Sequence, residues 1–224
     1  MTSVKPVVRL HLFFATENAT AVILRQGPTE VFRLILWDRE TDTFLDGQWL
    51  KQKVYVDRCD LSPDGRHFLY FTLNGDWSGE AEGAYTVLSR PPFFTALALF
   101  PEGSTWGGGG TFLSSSEYFA SGGEDIIGRT SDLTRLSVVR DNTGTLCLRD
   151  SQGRRRPHDP DSIKADPKPS RIHAIDQYDT QGGVLYRRDG LDLHPIRDFT
   201  DMNFEPMRAP YDWREPETPR GRPT

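Results

Sequence analysis

Residues capable of chemistry are plentiful in this chain, but their spacing is mostly that of turns. Two groups of carboxylates stand out: Asp38, Asp42 and Asp46, and then Asp57, Asp60 and Asp64. Acids held in pairs at a fixed separation do general acid–base work, as in glycosidases. A calcium loop needs oxygen ligands at alternate residues, and the four-residue steps of the first group lack that pattern. Aspartate also hydrogen-bonds forward to its own backbone in chain reversals, and this is the role expected of most of these acids.

Nucleophile signatures are missing. There is no Gly-x-Ser-x-Gly elbow and no His-Glu-x-x-His, and Ser114-Ser115-Ser116 has no base nearby in sequence. The five histidines, His11, His67, His158, His173 and His194, are scattered, so a catalytic pair would have to be assembled by the fold. Cys59 and Cys147 form no Cys-x-x-Cys. They read as reduced, partly buried thiols, not as a disulfide framework or a zinc site. The sequence nominates no catalytic residue, metal ligand or cofactor site.

Trp106 precedes four glycines, Gly107 to Gly110. A phosphate loop would add a Lys-Ser/Thr pair and a following helix. Both are lacking, so a bulge or close backbone approach around Trp106 is expected. Arg58 lies beside Asp60, and Arg90 precedes Pro91-Pro92-Phe93-Phe94. Arginine beside rigid prolines and exposed rings is an interface anchor; a buried Arg–Asp pair stapling neighbouring sheets is the alternative, and both stand. The candidate binding set is therefore Arg58, Asp60, Trp77, Arg90 and Trp106.

The elements that must position these residues are short strands. Val8, Leu10, Leu12 and Phe14 alternate with Arg9 and His11, and Val31 to Trp37 is almost continuously apolar, as in a strand covered on both faces. Asp46-Gly47, Asp64-Gly65, Asn74-Gly75, Asn142-Thr143-Gly144, Gln181-Gly182-Gly183 and Asp189-Gly190 punctuate the runs as hairpin signals. Helical periodicity is nearly absent. The expectation is an all-β domain over residues 1–205, with a loop insertion at about 151–170 that opens on Arg154-Arg155-Arg156-Pro157. A proline- and charge-rich tail follows over 206–224, its beginning pinned by Tyr211 and Trp213.

Within this pattern, Asp60-Leu61-Ser62-Pro63-Asp64-Gly65-Arg66-His67-Phe68-Leu69-Tyr70 resembles the repeat of TolB- and WD40-type β-propellers. Leu36-Trp37-Asp38 upstream is similar to the Trp-Asp strand of a blade, so one blade spans roughly residues 31–73. Asp176 to Tyr186 suggests a second. The resemblance implies a propeller or propeller-like array of short antiparallel sheets, about five blades at four strands each, with a β-sandwich as the alternative. The wider style resembles bacterial proteins, which implies no activity.

Thirteen Phe and five Trp among 224 residues argue for a ring-filled core, not disorder. The formal charge of -5 speaks against a nucleic-acid binder. No signal peptide precedes the first strand and no apolar run reaches the ~20 residues of a membrane span, so a cytoplasmic protein is expected. These observations favour a non-enzymatic binding or scaffold module with a protein partner. A hydrolase using paired carboxylates in a central cleft is the alternative.

Overall fold

The computed structural model describes residues 7–129 and 132–213. The first sheet is an antiparallel meander of β1 (Arg9–Phe14), β2 (Thr20–Gln26), β3 (Phe32–Asp38) and β4 (Thr43–Leu50), paired in that order. The second contains β5 (Lys53–Val54), β6 (Asp60–Leu61), β7 (Phe68–Leu73), β8 (Ala84–Ser89) and β9 (Ala96–Pro101); β5 and β6 both pair with β7, and β8 and β9 follow. The third runs β10 (Gly110–Phe112), β11 (Glu117–Ala120), β12 (Thr134–Arg140), β13 (Leu146–Arg149) and β14 (Arg155–Pro157), with one parallel pairing, β11 to β12. The fourth is β15 (Tyr178–Gln181), β16 (Val184–Asp189) and β17 (Asp192–Asp198). The all-β expectation holds, and the sheets follow chain order.

Successive strand residues point to opposite faces, and β1 uses this to fill two cores at once. Phe13 packs edge-on against Phe68 of the second sheet, ring centroids 5.0 Å apart, while Phe14 stacks on Tyr178 of the fourth at 5.9 Å. The first sheet therefore shares one apolar core with the second (Val22, Leu34, Phe68, Tyr70, Val87) and another with the fourth (Ile23, Trp37, Leu185, Phe199). This is why β3 reads as continuously apolar: both of its faces are covered. A third core joins the second and third sheets through Leu88, Phe100 and Tyr118.

The Ser62-to-Gly65 reversal forms as its residues dictate. The Ser62 hydroxyl donates to the Asp64 carboxylate at 2.6 Å, the Gly65 amide donates to the Ser62 carbonyl at 2.9 Å, and Gly65 takes φ +75°. Asp46-Gly47 behaves differently. It lies inside β4, not between strands, at a register shift opposite Arg33 and Ile35. A Cβ at Gly47 would fall 1.9 Å from the Pro92 carbonyl oxygen, so the glycine serves a close backbone approach. The actual reversal before β4 is at residues 39–42, with Asp42 at φ 52°.

The stretch at about 151–170 is more than an exposed loop. It contains β14, helix α1 (Pro160–Lys164) and the start of helix α2 (Pro169–Ile172), and Ser170 is buried. Asp159 caps α1 by accepting from the Asp161 amide, with Pro160 at its first turn. The described part of the tail is docked: Ala209 is buried and the Tyr211 hydroxyl donates to the Thr95 carbonyl at 2.8 Å. Residues 214–224 of the expected tail lie outside the described residues. Among the described residues no helix is long and apolar enough to cross a membrane.

Candidate functional site

Three segments meet at one end of the second sheet. They are the 3-10 turn Val56–Arg58 between β5 and β6, the β7–β8 loop at residues 74–83 and the β9–β10 loop at residues 102–109. The Glu102 amide donates to the Ala84 carbonyl at 2.9 Å, and a Cβ on Gly103 would touch Glu82 Oε2, so the two long loops abut.

Arg58 organises the second loop. Its Nη1 donates to the Thr105 carbonyl at 3.0 Å and to the Gly107 carbonyl, and its Nη2 reaches the Trp106 carbonyl at 3.4 Å. The guanidinium lies over the rings of Tyr55 and Phe71, 5.3 and 5.2 Å from their centroids. A planar fork of donors suits a ring of carbonyls, and such charge-assisted bonds are the stronger ones. Glycine then lets the loop descend. A Cβ at Gly108 (φ +92°) would lie 2.2 Å from the Phe71 ring, and one at Gly109 (φ +93°) would lie 2.8 Å from the Arg58 backbone. The Gly109 amide donates to Thr86 Oγ1 at 2.8 Å. The glycine run is thus the close approach its composition suggested, not an anion loop.

The consequence is a held backbone with a free side chain. Trp106 is 93% exposed. Trp77, on the neighbouring loop, is 53% exposed and lays its ring over Gly83. Asp76, Glu80 and Glu82 on that loop are exposed, and none takes part in an ion pair among the described residues. Two indoles and three carboxylates therefore share one surface.

The other nominated residues lie elsewhere. Asp60 is interior, 3% exposed, so it meets no partner at the surface. Among the described residues it pairs with neither Arg58 nor any other cation across a short ion pair, so the alternative reading of an Arg58–Asp60 staple is not borne out. Its carboxylate instead accepts from Thr111 Oγ1 at 2.9 Å, from the Phe112 amide at 2.7 Å, from the Leu61 amide at 3.0 Å and from the Ser170 hydroxyl. Lys168 stands beside it, donating to the Cys59 carbonyl at 3.1 Å and to the Gly110 carbonyl. Burial raises the Asp60 carboxyl, against the pull of Lys168 and its donors, and burial lowers the Lys168 ammonium. Burial also pushes the Cys59 thiol up to about 12, which leaves no thiolate at neutral pH.

Arg90 sits in the β8–β9 loop, at the opposite end of the six-residue strand β8 from Trp77, roughly 20 Å away along the strand. Its amide donates to the Tyr211 hydroxyl at 3.3 Å. The rings after the diproline are not an exposed anchor: Phe94 is buried and Phe93 packs on Tyr211. Four of the clustered carboxylates are committed too. Asp42 pairs with Arg187 at 3.0 Å and Asp46 with Arg197 at 2.6 Å, while Asp38 and Asp64 close turns.

Sequence reasoning missed Lys168, Ser170 and Arg171 as core-forming residues. Each is bracketed by proline and charge, and each finds its partners 58 to 159 positions away in the chain. Against this geometry, comparison with family models, curated proteins and solved structures finds no match for the chain.

Proposed function

We propose that the protein is a non-enzymatic binding module whose working surface is the pair of loops carrying Trp77 and Trp106, and whose partner is a protein presenting a cationic segment. The observation that carries this reading is the contrast between the pinned Trp106 backbone and its exposed indole. An indole offers roughly 200 Å² of surface, worth about 5 kcal/mol gross at about 25 cal/mol per Å² before the costs of association. Holding its loop in advance lowers the ordering cost on binding. Asp76, Glu80 and Glu82, which take part in no ion pair among the described residues, supply the complementary field, and an indole face attracts arginine and lysine.

We infer that the four sheets act as blades of a propeller-like array of the TolB or WD40 kind. In support, they succeed one another in chain order, and early strands of each sheet make inter-sheet contacts: β1 touches β6 and β15, and β10 touches β6 and β7. Helix α2 contacts β1 and β6 at the same place.

The test compares affinity capture by the wild-type chain, Trp106→Ala and the double variant Glu80→Gln/Glu82→Gln. A stoichiometric partner held by the wild type, lost with Trp106→Ala and weakened by the charge variant is expected. Equal capture by all three, or no partner for the wild type, overturns the reading.

A further inference from the structure

A second site of different character lies between the first and fourth sheets. A cleft of about 640 Å³ is lined by Leu10, His11 and Leu12 of β1, by Arg171 of α2, by Ile175 and Asp176, by Tyr178 to Thr180 of β15 and by Arg188. That volume falls within the roughly 300–1,000 Å³ of small-molecule sites.

Arg171 is the unusual group in it. Its Nη1 donates to the Leu12 carbonyl at 3.1 Å, and the guanidinium lies 4.5 Å from the Phe13 ring centroid. It takes part in no ion pair among the described residues, although burial already weighs against its charge. Its remaining donors, Nε and Nη2, have no acceptor among the described residues, and Arg171 lines the cleft. Arg188, across the cleft, is by contrast neutralised by Asp179 at 2.8 Å and tied to the Tyr178 carbonyl at 3.2 Å. Asp57 and Asp176 both stay beyond ion-pair distance of Arg171. A half-desolvated guanidinium with open donors and only a more distant carboxylate, Asp57, in support is a site for an oxyanion.

Two further features shape the cleft. The His11 Nε2–H donates to Gln26 Oε1 at 3.0 Å, and the Gln26 amide is itself oriented by the Thr29 carbonyl at 3.3 Å. That leaves His11 Nδ1 as an acceptor. Ala174, at the entry to the cleft-lining turn, holds φ 60°, a conformation that favours glycine and is costly for a residue with a Cβ.

We propose that this cleft binds a small polar ligand through its oxyanion, a carboxylate or a phosphate, with Arg171 as the anchor. Leu10, Leu12 and Ile175 contact the apolar part, and His11 accepts from a ligand hydroxyl or amine. This site is separate from the tryptophan surface and does not depend on it.

The experiment titrates the full-length isotope-labelled chain with inorganic phosphate and, separately, acetate, against sodium chloride of equal ionic strength. The arginine Nε–H and histidine ring resonances are followed by NMR. A saturable low-millimolar shift of Arg171 and His11 with both anions, with one carboxylate or with phosphate alone, supports the site and distinguishes the ligand chemistry. Arg171→Gln should weaken it about tenfold or more. Ile175→Trp should do the same by filling the cleft, and since Ile175 is half exposed this variant keeps the test valid if Arg171→Gln fails to fold. No saturable shift with either anion, or unchanged affinity in a folded Ile175→Trp variant, overturns the proposal.

Discussion

Arg58 donates to the carbonyl of Trp106 and to those of both its neighbours, so one guanidinium fixes the backbone whose side chain is the most exposed tryptophan described. Packing and presentation are separated by one residue. The arginine faces inward over Tyr55 and Phe71, and the indole faces water. The loop keeps its shape without burying the ring that a partner would need.

Removing that guanidinium should loosen the loop more than the fold. Arg58→Ala is expected to lose about 2–4 kcal/mol in denaturant unfolding, since charge-assisted bonds contribute roughly 1.5–3 kcal/mol each and do not add fully. Hydrogen exchange should accelerate at residues 104–109 in particular. Arg58→Lys restores the charge without the fork and should recover only part of the loss.

The glycine run makes a sharper prediction, because the chain's positive-φ glycines differ in what surrounds them. Gly108→Ala and Gly109→Ala meet both a positive φ and a blocked Cβ position, and should cost about 2–5 kcal/mol each. Gly128→Ala and Gly144→Ala have positive φ but open space around the Cβ, and should cost about 1 kcal/mol. Thermal unfolding of the four variants decides whether the close approach is real.

The interior polar hub should show strong coupling. Asp60→Asn or Lys168→Met alone removes one of two neighbouring buried charges that form no close ion pair, at about 1–3 kcal/mol. The double variant Asp60→Asn/Lys168→Met should lose less than the sum of the two. Additive losses in a double-mutant cycle would show that Asp60 and Lys168 act independently.

Acid should destabilise the fold through its histidines. Burial lowers His11 and His67 below their ordinary value of 6.5, and both ring nitrogens of His67 are buried with no hydrogen-bond partner among the described residues. Below about pH 6.5 the unfolded chain binds protons at these rings that the folded chain refuses, so stability is full above that pH. It falls as pH drops, by up to about 1.4 kcal/mol per pH unit for each ring. His67→Leu should flatten this acid limb in unfolding measured from pH 7 down to 5. An unchanged limb contradicts the assignment to His67.

What the sequence disclosed follows the range of the interactions involved. The Ser62–Gly65 reversal was legible because its bonds close within a few residues, and β3 was legible because a strand covered on both faces must be apolar on both. Asp46-Gly47 misled: its local signal is a turn, yet its glycine answers to Pro92, far along the chain. The segment containing Lys168, Ser170 and Arg171 looked like solvated loop because charge and proline dominate its composition. Lys168 and Arg171 instead donate to the carbonyls of Cys59, Gly110 and Leu12, and the Ser170 hydroxyl donates to the Asp60 carboxylate. Arg58 and Trp106 were both singled out, but their contact joins separate loops and no local pattern encodes it.

The most direct test of the binding account places a photo-crosslinking phenylalanine analogue at position 106 and, as a control, at Leu191, which is equally exposed on the fourth sheet. A discrete heteromeric adduct from position 106, absent from position 191 and suppressed by Arg58→Ala, is the predicted result. The same adducts from both positions, or none from 106, would contradict it.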